Sequence, residues 1–127
     1  MALRSFEELD AWQSAHQLTL AVYRATANFP QHELFGLTAQ LRRAAASVEA
    51  NLAEGFGRAG AKEFLRFTRI ADGSLQETKC FLLLARDLGY LEPAHDDALR
   101  TRADKAGALL GGFQRHLTRR MQQDAAD

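Results

Sequence analysis

Four long stretches of this chain repeat apolar residues every three or four positions, and only two prolines, Pro30 and Pro93, interrupt them. No other feature constrains the fold as tightly. A period near 3.6 marks an amphipathic helix with one face buried. Ala, Leu, Arg, Gln and Glu are abundant while Val and Ile are sparse, so helix propensity agrees with the pattern.

The spacing predicts helices over about 6–28, 33–56, 61–88 and 92–122. In the first, Ser5 and Glu8 have capping-box spacing. Trp12, Ala15, Thr19, Val22 and Tyr23 make its stripe, and Asn28-Phe29-Pro30 ends it. In the second, Leu34, Leu37, Leu41, Ala45, Val48 and Leu52 fall within about 80° at 100° per residue. Gly55 and Gly57 supply its stop. The third carries Phe64, Phe67, Ala71, Ser74, Leu75, Thr78, Leu82, Ala85 and Leu88, with Gly89 as a left-handed cap and Tyr90 and Leu91 folding back. The fourth carries Leu99, Ala103, Ala106, Leu110, Phe113, Leu117 and Met121. The connections are short, so the expected fold is all-α: an antiparallel up-down four-helix bundle, one domain over 1–127. A chain of 127 residues buries enough surface to fold without a metal or disulfide.

The second helix has more than one patterned side. Gln40, Arg43, Ser47, Asn51, Glu54 and Arg58 recur at spacings of three and four on a flank. Ala39, Ala46, Ala50, Ala53 and Gly57 lie on the back, where a solvated helix is ordinarily charged. Helix propensity alone accounts for alanine there. The sharper reading is a subunit interface: small residues admit a second helix, and Arg43, Ser47, Asn51 and Glu54 fix its register.

Charge restricts the partners. Sixteen basic and sixteen acidic residues cancel, which argues against strong non-specific binding to nucleic acid or membrane. The distribution is uneven: residues 42–69 hold six basic and three acidic groups, and residues 70–99 hold two and six. Arg58, Lys62, Arg66 and Arg69 cluster around the start of the third helix, and Arg115, Arg119 and Arg120 near the end of the fourth. An up-down bundle places both groups at one end, where phosphate contacts are one reading and solvated side chains the other.

Chemistry-bearing motifs are sparse. A di-iron bundle needs two Glu-x-x-His pairs, and only Glu92 and His95 have that spacing. His16, His32, His95 and His116 are dispersed, so no metal and no cofactor is expected. Cys80 is the one cysteine, and it reads as a packed or semi-exposed thiol rather than a nucleophile. Glu49, Glu54 and Glu77 read as partners of Arg42 or Arg43. The absence of an apolar h-region near the N-terminus and of any run near ~20 apolar residues leads to the expectation of a cytoplasmic protein without a membrane partner.

The stretches FEELDAWQSAHQL, VYRATANFP, ELFGLTAQLRRAAASVEANLAEGFGR, KEFLRFTRIADGSLQET and LARDLGYL together cover much of residues 6 to 91. In that order they resemble the four-helix-bundle family of 23S rRNA intervening-sequence proteins, which is related to the accessory protein of diversity-generating retroelements. The resemblance implies an up-down bundle, ring-shaped homopentamers and no enzymatic activity. It also implies a relative that works with a reverse transcriptase and binds nucleic acid through a basic surface. The expectation is a non-enzymatic homopentameric scaffold for another macromolecule. The alternative is an RNA- or DNA-binding accessory protein using Arg58, Lys62, Arg66 and Arg69.

Overall fold

A computed structural model describes residues 3–126, and all regular structure within them is helical. Four long helices carry it: α1 (Asp10–Thr26), α2 (Leu37–Phe56), α3 (Ala61–Asp87) and α4 (Pro93–Ala126). Short 3₁₀ turns, Phe6–Glu8 and Gln31–Glu33, precede α1 and α2. Helices α1 and α3 each pack against both α2 and α4, and the four enclose one core. Leu18, Val22, Leu41, Val48, Leu52, Leu75, Leu82 and Leu110 lie at its centre, almost wholly removed from water. Each such side chain contributes roughly 1.5–3 kcal/mol toward offsetting the ordering of the chain.

Several boundaries differ from the sequence pattern for local reasons. The Ser5 signal is spent on a 3₁₀ turn: its hydroxyl accepts the Glu7 N–H at 3.2 Å, and Glu8 Oε1 accepts the Arg4 N–H at 3.3 Å. Leu9 is extended, so α1 proper starts at Asp10. Helix α2 starts at Leu37 rather than near Glu33, because Gly36 departs from helical geometry at φ −107° and ψ −114°. Leu34 therefore leaves the stripe and is exposed. Tyr23 also faces water, where the Arg42 guanidinium lies 4.8 Å from its ring centre. Helix α4 continues to Ala126, since neither Gly nor Pro follows Gly112.

Two glycines act differently from each other. Gly89, at φ 80°, closes α3 with the paired bonds of a Schellman cap. The Tyr90 N–H donates to the Ala85 carbonyl at 2.9 Å, and the Gly89 N–H to Arg86 at 3.0 Å. Gly55 is not a stop. It is buried inside α2, where an added Cβ would sit 2.6 Å from Phe64 Cδ1 and 2.9 Å from Phe67 Cβ. Its lack of a side chain lets α3 approach.

Candidate functional site

Two surfaces carry the residues the sequence singles out, and a third lies outside that reading. The first is the outside of α2. Its polar flank turns toward α3 within the same chain. Ser47 and Ser74 hydroxyls hydrogen-bond at 2.8 Å, and Arg43 Nη2 donates to Glu77 Oε2 at 2.6 Å. Asn51 Nδ2 donates to the Ser47 carbonyl at 2.8 Å, and Glu54 pairs with Arg58 one turn on. The α1 side is also pinned. The Thr19 hydroxyl bonds to the carbonyls of Ala15 and Ala45, both at 3.1 Å, and His16 Nδ1 lies 2.9 Å from Glu49 Oε2. Between these pinned sides the back of α2 stays open: Ala39 and Ala50 are exposed, and Ala46 and Ala53 half-buried.

The second surface is the basic region at the start of α3. Arg58 and Arg66 both stack on the Phe67 ring, at 5.2 and 4.6 Å. Arg66 also grips Glu63 at 2.9 Å. That bond, with the nearby charges of Arg58 and Lys62, holds the Glu63 carboxyl below the usual carboxylate range and pushes the Arg66 guanidinium up. Two of the four cations are thus engaged, while Lys62 and Arg69 make no ion pair among the described residues. A chain of aromatic contacts reaches α4 from here. Phe56 meets Phe64 at 6.3 Å, Phe64 meets Phe113 at 4.9 Å, and Phe113 stacks on His116 at 6.1 Å. The start of α3 and the later part of α4 are therefore neighbours.

The third surface has no counterpart in the sequence reading. A cleft of about 660 Å³ opens between the end of α1, the α3–α4 connection and the start of α4. Ala21, Ala25, Leu91 and Leu99 give it apolar walls, and Arg24, Asn28, His95 and Arg102 also line it. Beside it the α1–α2 turn is fixed by Glu33. Oε1 accepts the Leu37 N–H at 3.2 Å and Oε2 accepts the Tyr90 O–H at 2.9 Å. Those bonds, the backbone one first, hold the Glu33 carboxyl below its usual range, and Glu33 raises the Tyr90 phenol in return. Phe35, in the same turn, is 91 % exposed. The missed signal is an aromatic that lies on no stripe and precedes a glycine.

Catalytic groupings are few in this geometry. Among the described residues no three His, Cys, Asp or Glu side chains converge as a metal site requires. Cys80 is exposed on α3, beside a smaller cleft shared with Lys79 and Arg100. Asp96, in the first turn of α4, is buried with Oδ1 unpartnered. No helix is long and apolar enough to cross a membrane among the described residues.

No curated protein sequence matches the chain. A family match covers most of it, residues 7–112, and spans α1 to α3 and more than half of α4. On that match and its four-helix architecture, the chain belongs to the 23S rRNA-intervening sequence protein family.

Proposed function

We propose that this protein is a non-enzymatic oligomeric scaffold: an antiparallel up-down bundle that self-associates through the back of α2 and presents the assembled surface to another macromolecule. Residue pairs support the antiparallel arrangement, because numbers fall along one helix as they rise along its neighbour. Thr19 meets Ala45 while His16 meets Glu49, and Ser47 meets Ser74 while Arg43 meets Glu77. The observation that carries the assembly is the uncharged, uncovered strip of Ala39, Ala46, Ala50 and Ala53 on a helix pinned on both sides. Since Arg43, Ser47, Asn51 and Glu54 already have partners in the chain, the alanines are the part of the interface that admits a second helix, and the polar flank borders it. The family resemblance supports five subunits in a ring. The single cysteine supports a reducing, cytoplasmic location.

The test is mass in solution. Light scattering on the full chain should give a discrete oligomer, and Ala50→Arg should convert it to monomer. The monomer's stability should change by no more than about 0.5 kcal/mol, because the position is exposed. A monomeric wild-type chain at micromolar concentration ends the scaffold reading.

Lys62 and Arg69 favour a second reading, a nucleic-acid accessory protein. They lie near a guanidinium–aromatic cluster, and a ring would repeat them around one rim. Their phosphate contacts would make affinity fall steeply with salt. RNA binding that survives Lys62→Glu with Arg69→Glu, with its salt slope intact, rejects that use of the surface.

A further inference from the structure

We propose that Phe35 of one copy inserts into the α1/α4 cleft of a second copy, so that the assembly is a knob-in-socket contact between two different faces of the chain. The inference rests on the self-association proposed above and supplies its anchor. Phe35 is 91 % exposed, well beyond the other large apolar side chains of the described residues. Its turn is tightly hydrogen-bonded. Glu33 ties Leu37 and Tyr90, the Gly36 N–H donates to the Glu33 carbonyl at 3.0 Å, and the Leu34 N–H to Gln31 at 3.1 Å. A Cβ on Gly36 would lie 2.8 Å from Glu33 Oε1, so glycine keeps that carboxylate in place. An aromatic held outward before binding loses little freedom on docking, which is how interface anchors gain affinity. Exposed Leu34 lies beside it, and the Tyr90–Glu33 bond ties the turn to the end of α3, where Leu84 and Leu88 are also exposed.

The socket fits an aromatic ring on three counts. Its volume is about 660 Å³, and Ala21, Ala25, Leu91 and Leu99 supply apolar walls. Arg24 and Arg102 line it without an ion pair among the described residues, free to close over the faces of an inserted ring. Residues 25–41, which carry the knob, contain no Lys or Arg to repel them. Knob and socket also share one end of the molecule. Asn28, Gly89 and Tyr90 line the cleft, and Tyr90 bonds to Glu33 two residues before Phe35. Phe35 does not line the cleft of its own chain. Two complementary features at one level on different flanks are what a closed ring of head-to-tail contacts requires; an offset in level would generate a filament.

The experiment uses the full chain with Cys80→Ser. Copies carrying Leu34→Cys, which keep the Phe35 ring, are mixed with copies carrying Ala98→Cys, a position lining the cleft, and oxidised. Covalent dimers are expected in the mixture and in neither variant alone. Phe35→Asp should reduce the particle to monomer while leaving helicity unchanged. A Phe35→Asp protein that keeps the wild-type mass overturns the knob and leaves self-association standing. Cross-linking of Leu34→Cys to itself, or none in the mixture, overturns the socket. A wild-type chain that is monomeric removes the reading beneath both.

Discussion

The α2/α3 seam and the α1/α4 seam lie on opposite sides of the core and are built differently. At α2/α3, Gly55 sits under Phe64 and Phe67, and Ser47–Ser74 and Arg43–Glu77 cross between the helices. At α1/α4, no hydrogen bond or ion pair crosses among the described residues, and clefts of about 660, 520 and 450 Å³ open along it. Small residues do opposite work in the two places. In α2 they let a neighbouring helix close in, and in α4 Ala98, Ala108 and Gly112 leave space uncovered. One seam is finished by the chain itself and the other has room for something more.

Large-to-small substitutions test that contrast most severely. Leu52 is fully buried among α2's core residues, so Leu52→Ala should cost about 2–5 kcal/mol in chemical denaturation. Leu109 is half-buried and lines two of the α1/α4 clefts, so Leu109→Ala should cost about 1 kcal/mol, because little packed volume is lost. Equal costs would mean that the second seam is as tightly packed as the first.

Glycines sharpen the comparison by changing its sign. Gly55→Ala forces a methyl against the Phe67 Cβ and the Phe64 ring, and should destabilise by about 1–3 kcal/mol. Gly111→Ala meets only the tip of Arg115, 3.5 Å away, and should stabilise α4 by up to about 1 kcal/mol through helix propensity. Thermal melts that move in the same direction for both would defeat this account. Smaller still is the Ser47–Ser74 bond. A double-mutant cycle with alanine at both positions should return a coupling of about 0.5–1.5 kcal/mol, and a coupling of zero would show that the bond orders nothing.

The sequence disclosed the four helices because a period of 3.6 sustained over many residues has no competing explanation. It disclosed the Gly89 cap because a helix that stops there needs a left-handed residue. It misplaced the start of α2 because Leu34 stands three residues before Leu37 and extends the stripe; the Glu33 lock that breaks the helix depends on Tyr90, 57 residues away. Gly55 was misread for a related reason, since a glycine near a helix end looks like punctuation until the ring it accommodates is known. Arg43 pairs with Glu77, one of the carboxylates its sequence offered, while Glu49 takes His16 and Glu54 takes Arg58 instead. Those choices are set by the register of α1 and α3 against α2 and by the i, i+4 spacing at the end of α2. The α1/α4 cleft left no trace in the pattern, because the distance between two helices is not a property of either one.

The finest test concerns the Glu33 lock, which sits at the end where the knob and the cleft both lie. Glu33 accepts its two hydrogen bonds more strongly as a carboxylate than as a neutral acid, and its folded-state pKa is depressed, chiefly by the Leu37 N–H and then by the Tyr90 hydroxyl. A depressed carboxylate contributes stability that is present above its unfolded pKa and is lost as pH falls through the lower folded value. Tyr90 has the opposite sign: its raised pKa gives stability that is present below the ordinary phenol value and lost as pH rises through the folded one. Glu33→Gln should therefore flatten a small part of both the acid and the alkaline limbs of a stability-against-pH curve. Tyr90→Phe should flatten the alkaline limb and only part of the acid one, because the Leu37 bond remains. The same titration should loosen the turn that holds Phe35 outward, so acid should weaken the proposed self-association. If Glu33→Gln leaves both limbs unchanged, the turn is held by its backbone bonds alone and the carboxylate contributes nothing to presenting the aromatic.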